Sequence, residues 1–155
     1  MALDVRLRAI GVVRNGVADR FCHDWQGVES ELALEPELEP ALEGIEGFSH
    51  VQVVLYFHQV RPEEVVLQRR PRDRQDFPLV GIFATRSQFR PSPVGISVAR
   101  LLGREGHRLK VADLDAVDGT PIIDIKPYFP PPEPPETVRV PPWVQQMLAE
   151  RGQHR

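Results

Sequence analysis

The segment that most limits what this chain can become runs from Val51 to Phe57, VQVVLYF, a short apolar stretch rich in β-branched and aromatic residues. It is too continuous for an edge strand and suits the centre of a sheet. Other runs are short. Val5 to Val13 alternates, with Val5, Leu7 and Ala9 opposite Arg6 and Arg8, and ends at an Asn15-Gly16 turn; Leu32 and Leu34 alternate with Glu31, Ala33 and Glu35. Further strands are expected at Val65 to Gln68, Leu79 to Phe83, Ile96 to Leu102, Arg108 to Leu114 and Ile122 to Lys126, with a hairpin loop at Gly103 to His107. So many short strands leave little room for crossover helices. The expected fold is mainly β, an antiparallel sheet curled into a β-barrel-like domain.

Helical signals are few. Pro36 to Gly44 suits a short helical turn with Leu38, Ala41 and Leu42 inward, and Gly44 at its end. Seven of the 16 prolines lie between Pro130 and Pro142, which predicts an extended strap. After it, Trp143, Val144, Met147 and Leu148 share one face of a short C-terminal helix, and Gly152 to Arg155 are expected to fray. With 155 residues the chain suits one domain: residues 1–129 as the barrel, and residues 130–155 as strap and helix within the same unit. Neither a G-x-G-x-x-G nor a P-loop pattern occurs.

The chain opens without a signal-peptide pattern and has no apolar run of membrane-spanning length, so a soluble cytosolic protein is expected. A single cysteine, Cys22, excludes an internal disulfide and a multi-thiolate zinc site, and is read as packing. His23, Asp24, His50 and His58 lack metal-ligand spacing, and no metal is expected. The net charge is only −3, but charge is unevenly placed. Glu29 to Glu46 holds seven glutamates and no Lys or Arg, whereas Arg61 to Lys110 holds eleven basic and five acidic residues, 11 − 5 = +6. Two readings stay open: a face for a polyanion, or arginines offset by neighbours in the fold.

Chemistry concentrates in two segments, GIFATRSQFRPSPVGIS (Gly81 to Ser97) and LDAVDGTPIIDIKPY (Leu114 to Tyr128), read as two halves of one pocket. In the first, two prolines stiffen a loop that presents Arg86 and Arg90 to a carboxylate or phosphate, with Thr85, Ser87 and Ser97 adding hydroxyls. Arg86 bridging to Asp115 or Asp118 for structural reasons is the alternative. In the second, Asp118-Gly119-Thr120-Pro121 is also ordinary turn chemistry. Asp124, Lys126 and Tyr128 alternate with Ile123 and Ile125, as one polar cluster or as a solvated strand face. His58 and Gln59 end the central strand, and Trp25 suits either stacking on a base or covering a barrel end.

The strings IEGFSHVQVVLYFHQ (Ile45 to Gln59), GIFATRSQFRPSPVGIS and LDAVDGTPIIDIKPY, in this order, resemble the signature of the TrmO family, also called TsaA-like or YaeB-like proteins. The resemblance covers most of the chain from Val5 to Pro130. It implies an S-adenosylmethionine-dependent methyltransferase with a β-barrel fold, usually a homodimer, that methylates N6 of threonylcarbamoyl-adenosine beside the tRNA anticodon. Carried over by position, the cofactor-contacting residues are His58, Gln59, Arg86, Ile96, Ala112, Asp113, Leu114 and Asp115, with Gln26 in a further loop. Where the family reads R-P-N-P-I-G this chain has Arg90-Pro91-Ser92-Pro93-Val94-Gly95, and the family's Pro-Arg-Gln is replaced by Cys22-His23-Asp24-Trp25-Gln26. A short form without the C-terminal domain of longer members is expected.

Methyl transfer from a sulfonium asks for alignment and a group that accepts the amine's proton, for which Asp118 and Tyr128 are the candidates. Arg90, Lys126 and Arg72, with Arg69, Arg70 and Arg74, are the candidates for tRNA backbone contacts. A barrel that binds S-adenosylmethionine or RNA without turnover, or one that methylates a different acceptor, stays the alternative.

Overall fold

A computed structural model describes residues 3–21, 24–130 and 138–152. Its strands are β1 (Gly11–Arg14), β2 (Glu29–Leu34), β3 (His50–Tyr56), β4 (Gln68–Arg69), β5 (Val80–Gly81), β6 (Val94–Glu105), β7 (Arg108–Ala112) and β8 (Pro121–Pro127), followed by helix α1 (Pro142–Gly152). Six of them close an antiparallel barrel in the order β1-β2-β7-β6-β3-β8, and β4 and β5 form a separate ribbon. The expected mainly-β barrel is therefore the fold. β3 lies between β6 and β8, paired over its length with β6, as its composition required. Its Val51, Val53 and Leu55 turn into the core with Val13, Leu32, Ala99, Leu109, Val111 and Ile122, while alternate residues face outward. Closure leaves no long unpaired barrel edge.

Several elements are shorter than their patterns. The alternation from Val5 to Val13 forms a strand only from Gly11, and Leu3, Val5 and Leu7 stand exposed. The partner sets that limit: β2 ends opposite Gly11, Glu35 donates its amide to the Ile10 carbonyl at 3.0 Å, and Pro36 follows, without an N–H to continue the ladder. Val65 to Gln68 and Leu79 to Phe83 reduce to the two-residue strands β4 and β5, with a 3-10 turn at Ile82–Ala84. In contrast, β6 runs longer than expected and takes in most of the loop assigned to Gly103 to His107, with a register shift between Leu101 and Gly103.

The 3-10 helix Pro36–Leu42 buries Leu42 and leaves Ala41 exposed, and Gly44 follows in the left-handed region at φ 85°. α1 docks through Trp143, whose ring lies 5.9 Å from that of Phe77, and through an Arg74–Glu150 ion pair at 2.5 Å. Leu148, expected on the docked face, is 51% exposed. The proline-rich strap at 131–137, Cys22, His23 and the last three residues lie outside the described residues. Among the described residues no helix is long and apolar enough to cross a membrane.

Barrel closure at β1–β8 has two paired positions, Gly11↔Ile122 and Val12↔Pro121, extended by backbone bonds from Ile10 to the Ile122 carbonyl (2.8 Å), Val13 to the Thr120 carbonyl (2.9 Å) and Gly119 to the Val13 carbonyl (2.8 Å). Side chains complete it. The Asp118 carboxylate accepts from the amides of Asn15 (2.8 Å) and Gly16 (3.1 Å), and the Asn15 side-chain amide donates to Ser30 Oγ (3.0 Å) and to the Ala116 carbonyl (2.8 Å). Those two backbone donors hold the Asp118 carboxyl below its usual range. Asp118, expected as a proton acceptor, thus ties the turn after β1 to the loop before β8. At the other end of β3, Gly95 faces Phe57 so closely that a Cβ there would lie 2.3 Å from the ring.

Asp118→Ala is expected to lose about 1 kcal/mol of stability at neutral pH, a partly exposed carboxylate being screened by solvent. Because the folded-state pKa is lowered, that contribution is present above the ordinary aspartate value of about 3.9 and is lost as pH falls through the folded value. Urea unfolding across pH should show wild type and variant converging in acid. Gly95→Ala is expected to cost about 1–3 kcal/mol by forcing the Phe57 ring aside, measurable in the same unfolding experiment.

Candidate functional site

Where β3 ends, the chain leaves the barrel through Phe57, whose amide donates to the Pro93 carbonyl at 2.8 Å, and turns at His58 and Gln59. Two neighbouring cavities open here and share Phe57 and Asp115 as walls. The larger, about 220 Å³, is lined by Arg86, Arg90 and the β6 residues Val94 to Ser97. The smaller, about 50 Å³, is lined by Arg20, Trp25, His58, Gln59, Gln88 and Ala116 among others. Thus the Arg86 loop and the Asp115 loop do face one space, joined by the corner at the end of β3.

The two arginines of the loop do different work. Arg90 donates to the carbonyls of Ser87 (2.9 Å), Thr85 (2.6 Å) and Ile82 (3.1 Å), so it shapes the loop from within. Expected as a phosphate contact, it also lines the larger cavity, with Nε and Nη2 directed at these backbone acceptors. Arg86 is exposed at the larger cavity and makes no hydrogen bond or ion pair with any described residue. The expected alternative of a structural bridge from Arg86 to Asp115 or Asp118 is not formed.

Asp115 lines both cavities, and its amide donates to Ser97 Oγ at 3.3 Å. Asp113 holds the neighbouring loop instead: its Oδ1 accepts from the Gly27 amide at 2.7 Å, and Oδ2 lies 3.6 Å from Arg100 Nε. Its backbone is left-handed at φ 66°. Ala112 and Leu114 are buried, which leaves their backbone as the part that a ligand could reach. Ile96 lines the larger cavity with a side chain that is 56% exposed. Gln26 is exposed on its turn and lines neither cavity; its neighbour Trp25 does.

Burial holds the His58 imidazole below its ordinary value, so it is neutral at pH 7. The corner that carries it is fastened by Arg20, which donates to the Gln59 carbonyl at 2.9 Å and to Glu64 at 2.5 Å, with its guanidinium 5.0 Å from the Phe21 ring centre and 5.6 Å from that of Phe89. Arg20 pairing, together with the Arg61 amide, holds the Glu64 carboxyl far below its usual range. Sequence reasoning missed Arg20 and Phe57. Arg20 has no pattern around it, and Phe57 reads as the last residue of a strand.

The second half of the Leu114 to Tyr128 segment lies elsewhere. β8 runs antiparallel to β3, Pro127 pairs with Val51, and the Tyr128 amide donates to the His50 carbonyl at 3.1 Å. The length of β3, roughly 20 Å, separates that end from His58. Tyr128, expected as a proton acceptor, therefore lies at the opposite end of β3 from His58 within one chain, and its ring packs edge-on to His50. Lys126 is at the same distant end and pairs with Asp124 at 2.6 Å.

The arginine row expected to meet tRNA is largely neutralised within the fold. Arg69 pairs with Asp73 and Arg74 with Asp76 and Glu150, while Arg70 donates to the Phe77 carbonyl. Arg72 stands on a left-handed residue at φ 53°, away from the cavities' linings, with Arg151 and Glu150 as its charged neighbours. Basic residues later in the sequence meet the glutamate-rich segment: Arg104 with Glu46 (3.1 Å), Arg108 with Glu31 (3.4 Å) and Lys110 with Glu29 (2.6 Å).

The chain matches the family model of the tRNA-methyltransferase O N-terminal domain over residues 20–132. A Pyrococcus abyssi protein named a probable S-adenosyl-L-methionine-binding protein is 38% identical over 113 residues, covering 73% of this chain and 59% of the relative. The Escherichia coli protein named tRNA (adenine(37)-N6)-methyltransferase is 36% identical over 132 residues, covering 78% of this chain and 56% of the enzyme. A crystal structure of TrmO from Pseudomonas aeruginosa superposes with a TM-score of 0.70 at 33% identity, covering 88% of this chain and 62% of that one. The chain therefore spans somewhat over half of these relatives. With the family model matched over most of its length and its barrel superposing on that structure, the chain belongs to the tRNA-methyltransferase O N-terminal domain family.

Proposed function

We propose that this protein is an S-adenosylmethionine-dependent methyltransferase that acts on N6 of a modified adenosine, threonylcarbamoyl-adenosine, beside the tRNA anticodon. Residues 1–129 form the methyltransferase domain, residues 130–155 belong to the same unit, and the protein works in the cytoplasm. The observation that carries this is the meeting of the His58–Gln59 corner, the Asp115 loop and an Arg86 without a partner among the described residues, around two cavities with a common wall. Relatives named for S-adenosylmethionine binding and for tRNA adenine methylation support it.

The residues present suit this donor. Arg86 offers an unpaired guanidinium to a carboxylate. Trp25 and Phe57 offer aromatic surface for an adenine ring and a sulfonium cation. A neutral His58 adds no repelling charge. When bound, S-adenosylmethionine supplies a methyl group already activated for in-line displacement, so the chain's task is chiefly alignment and exclusion of water. With Asp118 clamped and Tyr128 remote, the proton of the acceptor amine has two destinations at the cavities: the neutral imidazole of His58 and the carboxylate of Asp115. Arg20 acts through Gln59 as a positioning residue for that corner.

The protein acts as a homodimer through the outer face of β3 and β6. There Ile96, Val98 and Tyr56 are exposed apolar side chains on adjacent strands, with Ile96 opposite Val54 and Val98 opposite Gln52. Ile96 also lines the larger cavity, so a second copy on this face would border the site.

Isothermal titration with S-adenosylmethionine is expected to show binding by wild type and a loss of about tenfold or more in Arg86→Ala and in His58→Ala. Unchanged affinity in both variants would place the donor elsewhere. Labelled donor incubated with tRNA should give labelled tRNA; firm donor binding with no labelled product would make the chain a binding module. Val98→Asp should shift sedimentation from dimer to monomer, and a wild type that sediments as monomer would remove the homodimer.

A further inference from the structure

Phe83 is 82% exposed, and the packing of the barrel gives no reason for an aromatic ring there. It occupies the middle of the 3-10 turn Ile82–Ala84, next to Ile82, which is buried at 2% exposure. The carbonyl of Ile82 accepts from the Thr85 amide, from Thr85 Oγ1 and from the Arg90 guanidinium. The ring therefore projects from a backbone held by several hydrogen bonds. Three residues on, Arg86 stands at the larger cavity without a partner among the described residues. Leu67 and Leu79, 73% and 54% exposed, flank the same β4–β5 ribbon.

A stiffly mounted and exposed aromatic face, three residues before the cavity-lining Arg86, suits an unstacked nucleotide with its base on the ring. A duplex does not fit this arrangement, because its base faces are already covered by stacking. A second copy of this chain is the less suitable occupant, because the contiguous apolar strand face lies on β3 and β6. We propose that Phe83 is a stacking platform for an unpaired RNA base adjacent to the nucleotide that enters the cavity. This rests on the RNA-methylating function inferred above and names how that substrate is held.

The test titrates a fluorescein-labelled RNA hairpin with an unpaired, adenosine-containing loop, and the same strand annealed to its complement, against wild type, Phe83→Ala, Phe83→Leu and Phe83→Tyr. The same proteins are examined by S-adenosylmethionine calorimetry and by sedimentation. Expected are equal hairpin affinities for wild type and Phe83→Tyr, a loss of about tenfold in Phe83→Ala and Phe83→Leu, and equal duplex binding, donor affinity and sedimentation throughout. Wild-type hairpin affinity in Phe83→Ala or in Phe83→Leu overturns the proposal, the latter by showing that apolarity suffices without a π face. A shift of Phe83→Ala to a smaller sedimenting species overturns it by making the ring a subunit contact. Wild type that binds the donor but not the hairpin overturns it and leaves the donor site standing, whereas wild type that binds neither removes the underlying function as well.

Discussion

Closure of the barrel between β1 and β8 is the constraint on which the other features depend, and it is narrow: two paired positions join strands of four and seven residues. Backbone bonds of Ile10, Val13 and Gly119 extend that ladder at its two ends. The Asp118 carboxylate and the Asn15 side chain supply further links, tying the turn after β1 to the loop before β8 and to Ser30 on β2. That same loop carries Asp115 and Ala116 to the cavities. The geometry of the candidate site is thus coupled to the closing seam, because one loop serves both.

Rigidity at the site comes from groups directed at backbone atoms. Arg90 grips three carbonyls of its own loop, Arg20 grips the Gln59 carbonyl, and the Phe57 ring fills the space that Gly95 leaves by lacking a Cβ. A guanidinium engaged in this way holds a loop with little remaining freedom, which lowers the ordering cost when a ligand binds. Arg86 is the exception in the segment. It sits on the stiffened loop with its donors unused by the described residues, which is what distinguishes a ligand-facing arginine from its structural neighbours.

The uneven charge of the sequence finds its explanation in strand pairing. β2 lies against β7 in a register that sets Glu31 opposite Lys110 and Glu29 opposite Ala112, and Lys110 reaches Glu29 while Arg108 reaches Glu31. Cross-strand pairs of this kind satisfy both segments locally. The acidic stretch and the later basic stretch meet on adjacent strands of one sheet, and Arg104 meets Glu46 beyond them. Most of the local basic excess is therefore internal to the fold, and the surface left to a polyanion is smaller than the count of arginines suggests.

The sequence by itself determined the fold class, the central place of β3 and the pairing of the Arg86 and Asp115 segments. Alternation, β-branched composition and turn residues are local properties that survive in any fold the chain adopts. It also carried three motifs that mark the family. Only the tertiary structure decided where each strand stops, because an alternating segment such as Val5 to Ala9 becomes a strand only beside a partner with free hydrogen-bonding groups. Only it separated Arg86 from Arg90, and Asp115 from Asp118, since neighbours of the same type differ solely in what stands within hydrogen-bond reach. It likewise set Tyr128 at the far end of the barrel: antiparallel pairing of β8 with β3 turns fourteen residues of sequence after Leu114 into the full length of a strand.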